Sequence, residues 1–156
     1  MEAAVTDTLY PYTECGLDNV YLANGYTLRE TPYGETLAIH DIDRLHRAIG
    51  LALVRRSGGL SGAELRFLRV ELGWSQEELA RLLGRDKQTV GRWERGESNI
   101  DPLAERVLKL IFTEHAGAEN TPRLTERLSA FAAETAGGGR MDVVMEERGG
   151  WQSRAA

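Results

Sequence analysis

Gln76-Glu77-Glu78-Leu79-Ala80-Arg81-Leu82-Leu83-Gly84, followed by Arg85-Asp86-Lys87-Gln88-Thr89-Val90-Gly91-Arg92-Trp93-Glu94-Arg95-Gly96, is the stretch that decides the fold. Ser75 with Glu78 has the spacing of a capping box, so a helix opens at Gln76. Gly84 closes it where a left-handed residue is needed to turn the chain. Asp86 is an N-cap for a second helix, which ends at Gly96. Two helices crossing steeply over so short a turn need a small side chain at the crossing, and Ala80 supplies it. Val90 and Trp93, at i and i+3, fall on the inner face of the second helix, against Leu79, Leu83, Leu68 and Leu72. Lys87, Gln88, Thr89 and Arg92 are then left on the outer face, a set of donors suited to base edges in a DNA major groove.

The same punctuation extends outward. Ser61 with Glu64 forms another capping box and opens a helix that stops at Gly73. Asp101-Pro102 opens one to about Glu114, and Thr121-Pro122 repeats the device for a further helix to about Glu134. Gly137-Gly138-Gly139 and Gly149-Gly150 predict a poorly ordered tail, in which Met141 to Met145 is a short stretch able to dock. Toward the N-terminus, residues 1–18 read as irregular chain. Val20 to Ala23, Asn24-Gly25, and Tyr26 to Arg29 predict a hairpin with Tyr21, Ala23, Tyr26 and Leu28 on one face. A second turn at Thr31-Pro32-Tyr33-Gly34 leads to a third strand over Leu37 to Ile39. So few strands need a cover. The helix opened by Asp41, with Ile42, Leu45, Ile49, Ala52 and Leu53 at helical spacing, is the expected one. It ends near Arg55-Arg56, and Ser57-Gly58-Gly59 reads as a flexible joint. The expected organisation is a hairpin and helix unit over residues 1–56, a helical domain over 60–116, and a C-terminal helix with flexible tail over 117–156.

Length and charge set the outer limits. The 156 residues, 42% hydrophobic and 28% charged, suit one soluble globular domain with a small companion, and exclude a large multidomain enzyme or a disordered or fibrous chain. Apolar runs such as Ala48 to Val54 fall short of a membrane span, and the expected location is cytoplasmic. Cys15 is the single cysteine, which disfavours a thiolate cage for zinc. Residues 1–54 carry a net charge of −5, 55–96 of +3 and 97–156 of −3. The one basic segment of an acidic chain therefore coincides with the two helices above, which suggests a local site for a polyanion.

Leu72-Gly73-Trp74-Ser75-Gln76-Glu77-Glu78-Leu79-Ala80, Leu83-Gly84, and Gln88-Thr89-Val90-Gly91-Arg92-Trp93-Glu94-Arg95-Gly96 resemble the XRE-type helix-turn-helix family, kin of the phage repressors, over roughly residues 61–113. The resemblance implies that Gln76 holds a phosphate at a helix N-terminus, that Lys87, Gln88, Thr89 and Arg92 read bases, and that Arg85 and Arg95 flank them on the DNA backbone. The expected fold is mostly α, a five-helix-type lambda-repressor-like domain preceded by the small hairpin and helix unit. The front of the chain, with Leu45-His46-Arg47-Ala48-Ile49-Gly50 in its helix, is similar to the MqsA-type antitoxins. Those carry a four-cysteine zinc site, whereas Cys15 stands alone here, so hydrophobic packing must replace the metal. Together these readings imply a sequence-specific double-stranded DNA-binding regulator, a repressor of its own operon, with no catalysis and no cofactor. A homodimer on a palindromic operator, its half-sites about 34 Å apart, is expected. Leu103, Val107, Leu110 and Ile111, or the hairpin, are candidates for its interface. An antitoxin that also binds a protein toxin is the alternative.

Other features have plainer readings. His40 and His46 are six residues apart, about 600° around a helix, and so face different ways rather than pairing on a metal. Asp41 reads as a cap, and His115 suits the negative end of a helix. Ser57 to Gly62 lacks the Lys-Ser or Lys-Thr ending of a phosphate loop. Trp93 reads as core rather than as a base-stacking platform. Tyr21, Tyr26 and Tyr33 read as closing the small sheet or as an exposed aromatic patch for a protein partner, and Arg66, Arg69 and Arg81 as solvated helix faces.

Overall fold

The computed structural model describes residues 8–117 and 142–154. They divide into two compact units, one made of the residues up to Ile49 together with those from Asp142 on, the other beginning at Gly50. The further helix expected from Thr121-Pro122 and the Gly137 to Gly139 run lie outside the described residues.

The first unit holds β1 (Tyr10–Pro11), β2 (Val20–Leu22), β3 (Tyr26–Thr31), β4 (Gly34–Ile39), the first half of α1 (Ile42–Arg55), β5 (Val143–Glu147) and β6 (Trp151–Ser153). One sheet has the order β1-β2-β5-β6, with β2 antiparallel to β1 and parallel to β5; a separate two-stranded sheet joins β3 to β4. The buried set is Tyr12, Leu17, Val20, Leu22, Leu45, Ile49, Val143 and Met145. The Tyr12 hydroxyl and His46 Nε2 lie 2.8 Å apart.

Two expectations are corrected here. The hairpin around Asn24-Gly25 does not form: β2 pairs with β1 and β5, and the hairpin is β3–β4, turning through Pro32-Tyr33 with Thr31 opposite Gly34. The reason is which face is buried. Val20 and Leu22 are 1% and 0% exposed, whereas Leu28, expected to share a face with Tyr21, Ala23 and Tyr26, is 41% exposed. Asn24-Gly25 is a turn, but one that leads out of the first sheet: Ala23 N donates to Met145 O at 2.8 Å, Asn24 Oδ1 accepts from Glu147 N at 2.6 Å, and the Trp151 ring packs on Gly25. The C-terminal stretch expected as tail is the second correction. Val143 and Met145 alternate onto the buried face of β5 and satisfy the backbone of β2, while Gly149-Gly150 is the turn into β6. The mostly α expectation therefore holds for the second unit, not for this one.

The second unit contains the rest of α1, then α2 (Gly62–Glu71), α3 (Gln76–Leu83), α4 (Lys87–Glu94) and α5 (Pro102–His115). Both capping boxes are present: Ser61 and Ser75 each accept from the backbone of the residue three on at 3.1 Å, and Glu64 and Glu78 accept from the cap N–H at 2.8 and 2.7 Å. Gly84 closes α3 in the left-handed region, with φ of 66°. Leu53, Val54, Leu65, Phe67, Leu68, Leu79, Ala80, Val90, Trp93, Ala104, Leu108 and Phe112 are buried. Each large aliphatic among them contributes roughly 1.5–3 kcal/mol of transfer free energy.

Residues 57–62, expected to be a flexible joint, are held by buried ionic groups. Arg56 donates from Nη1 and Nη2 to the Glu64 carboxylate at 2.7 and 2.8 Å, Glu105 accepts from Leu60 N, and Lys109 Nζ donates to Gly58 O at 3.2 Å. Glu64, Glu105 and Lys109 are buried. Gly62 sits so close to the end of α4 that a Cβ would come within 2.3 Å of Trp93 O. The loop is fixed by what it touches, none of which its glycine-rich composition announces.

Candidate nucleic-acid interface

α3, the turn at Gly84-Arg85 and α4 form the candidate site. Asp86 Oδ1 accepts from Thr89 N at 2.7 Å and so caps α4. With Val90 and Trp93 buried on its inner face, 100° per residue leaves Lys87, Gln88 and Arg92 outward, and all three are exposed. The core reading of Trp93 agrees with its burial, and Leu68 and Leu79 are buried with it, while Leu72 and Leu83 are half-buried. Arg81, Arg85, Lys87 and Gln88 line one shallow groove over Ala80.

The remaining expected contacts are more constrained. Thr89 is half-buried and its hydroxyl donates to Asp86 Oδ1 at 2.7 Å, so only its lone pairs are left to meet a base. Arg85 Nη2 lies 2.8 Å from Asp101 Oδ2, and Arg95 Nε lies 2.8 Å from Glu97 Oε1. Both cations are exposed, and both already have a carboxylate. Those carboxyls titrate below the usual range: Asp101 through the hydrogen bond from Arg85, Glu97 through the one from Arg95, and Asp86 through those from the Thr89 hydroxyl and amide, with Arg92 adding its field. All three are anions at neutral pH.

Gln76, at the first position of α3, has Nε2 3.4 Å from both oxygens of Glu94. Glu94 in turn takes Nε and Nη2 of Arg69 at 2.9 and 2.8 Å, while Arg69 Nη1 donates to Trp74 O at 2.7 Å. The two side chains are 11% and 3% exposed. Arg69, read as a solvated helix residue, is thus a buried brace tying α2, the α2–α3 turn and α4 together. Arg66 and Arg81 are exposed, and Arg81 lies 3.8 Å from Glu77. Glu94 was legible as a partner to the extent that it follows Trp93 and lies four residues beyond Val90, at the edge of the buried face.

His40 is exposed and offers its carbonyl to the Trp151 indole; His46 meets Tyr12. Among the described residues no group of three or more His, Cys, Asp or Glu side chains is placed to hold a metal ion. Nor is any helix among them long and apolar enough to cross a membrane.

Residues 65–110 match the family model described as helix-turn-helix. No curated protein and no solved structure matches the chain. Residues 65–110 of the second unit thus carry a helix-turn-helix, the kind of domain that binds DNA, with α3 and α4 as its two helices. The match does not reach the first unit.

Proposed function

We propose that this protein is a sequence-specific transcriptional regulator that represses its own operon, acting by binding and not by catalysis. The observation that carries the reading is the division of α4: Val90 and Trp93 are buried, while Lys87, Gln88 and Arg92 stand outward over a helix whose start is fixed by Asp86. Such a helix fits a major groove and offers Arg92 and Lys87 to guanine and Gln88 to adenine edges. Gln76, Arg85 and Arg95 supply backbone contacts, and Thr89 an acceptor. One module makes few such contacts, so useful specificity calls for a homodimer on two half-sites of a palindrome. Leu103, 62% exposed on α5, supports a surface there. Selection of bound duplexes from a random pool tests the reading: a single palindromic consensus that overlaps the promoter of the protein's own operon is expected, and enrichment of no sequence overturns it.

A second reading, neutralisation of a protein toxin alongside operator binding, is favoured by one observation: a compact unit with its own core stands apart in composition and fold from the DNA-facing helices. Co-purification of the product of a neighbouring gene from the native host distinguishes the two.

A further inference from the structure

The β3–β4 ribbon of the first unit has two unlike faces. Residues directly opposed in an antiparallel pair share a face, so Tyr26 with Ile39, Leu28 with Leu37, and Glu30 with Glu35 lie on one side. The face begins apolar and ends acidic. At its apolar end the Tyr10 ring stacks on Tyr26 with centroids 5.0 Å apart, and the Tyr10 hydroxyl donates to Glu14 at 2.5 Å. That hydrogen bond, with desolvation and the fields of Glu14 and Glu35, pushes the phenol up to about 12. Leu28 is 41% exposed, and Leu37 and Ile39 are half-buried.

Two things about this face work against the isolated chain. Like charges placed directly opposite each other weaken a strand pair, and Glu30 and Glu35 have no ion pair among the described residues; Arg29, the cation of the ribbon, is on the other face. Beside them a stripe of aliphatic side chains is left partly in water. We propose that this face docks a cationic polypeptide segment, whose Lys or Arg side chains pair with Glu30 and Glu35 while its aliphatic side chains cover Leu28 and Leu37. Other occupants fit worse. A nucleic acid or anionic lipid would be repelled, a second copy would bring four carboxylates face to face, and the acids do not form a group able to hold a metal ion. Among the described residues no further strand pairs with either edge of the two-stranded sheet, and in a strand added there alternate residues would share a face and so meet the apolar and acidic parts in turn. This surface lies outside the helix-turn-helix, so the inference does not rest on operator binding.

The test uses the full chain, isotopically labelled, and a short synthetic peptide of Lys, Leu and Thr in alternation, beside an analogue with Glu in place of Lys. Saturable amide shifts confined to Leu28, Glu30, Glu35 and Leu37 are expected with the Lys peptide, with affinity falling as salt rises. The double variant Glu30→Lys, Glu35→Lys should bind it at least about tenfold more weakly. The double variant opposes Lys to Lys as the parent opposes Glu to Glu, so its unfolding temperature should match the parent's, which shows that lost binding is not lost folding. Equal binding of the Glu analogue, shifts mapping elsewhere, no saturable binding, or indifference to the charge reversal would each overturn the proposal.

Discussion

Between α2 and α4, the Arg69 guanidinium and the Glu94 carboxylate sit where neither has enough water to be solvated alone, and Gln76 leans on the carboxylate. Removing one partner of such a pair leaves the other buried and uncompensated. Glu94→Leu should therefore cost about 3–5 kcal/mol of folding free energy, read from denaturant unfolding; a loss below about 1 kcal/mol would mean the pair is solvated. Residues on the outer face should behave differently. Arg92→Ala should leave stability alone, cost about 1–3 kcal/mol in operator affinity, and relax preference at one base pair, whereas Gln76→Ala should weaken all duplexes alike. Asp101 has two roles, capping α5 and holding Arg85. Asn caps as well as Asp, so Asp101→Asn isolates the ion pair. Because the folded-state carboxyl is depressed, its stabilisation is present above the unfolded value of about 3.9 and is lost as pH falls through the lower folded one. The variant should thus show a flatter fall in unfolding midpoint on acidification. It should also bind DNA more tightly, with a salt slope steeper by about one phosphate contact, because Arg85 no longer has to exchange a carboxylate for a phosphate.

At the scale of elements, what could be read along the chain was whatever depends on near neighbours. Ser61 with Glu64, Ser75 with Glu78, Gly84, Asp86 and Asp101-Pro102 fix where helices begin and end within a few residues, and the structure has α2 to α5 at those positions. The outward set on α4 followed from the same local periodicity. What could not be read depends on distant partners. Asn24-Gly25 signals a turn, but whether β2 turns back on β3 or continues beside β5 is decided by Val143 and Met145, more than a hundred residues away. The Ser57 to Gly62 loop shows the same limit, since its rigidity comes from Glu105 and Lys109. Gly62 makes that limit testable. A methyl group there would press on Trp93 O, so Gly62→Ala should cost about 1–3 kcal/mol in thermal unfolding despite favouring helix locally. A gain in stability, the ordinary result of adding alanine to a helix start, would show that α2 and α4 can part without cost.

For the molecule as a whole, the decisive fact is that the first unit is assembled from both ends of the described chain, with the helix-turn-helix between them in sequence. Parallel strands cannot be joined by a tight turn and require a long crossover. Here the crossover from β2 to β5 contains the entire helix-turn-helix unit with its own core. Each unit then has its own dependence on the C-terminal strands. Without β5, the backbone groups on one side of Val20 to Leu22 lose their partners, and the buried faces of Val20 and Leu22 lose Val143 and Met145. The core of the second unit draws on Leu65, Leu68, Leu79, Val90, Leu108 and Phe112, none of which comes from those strands. A chain stopped after Met141 should therefore lose hydrogen-exchange protection at Val20, Tyr21 and Leu22 while keeping it in α3 and α4. Its affinity for a single half-site should be unchanged, because Lys87, Gln88 and Arg92 keep their support. If protection in α4 falls along with that in β2, the two units fold as one, and the helix-turn-helix is conditional on the strands that flank it.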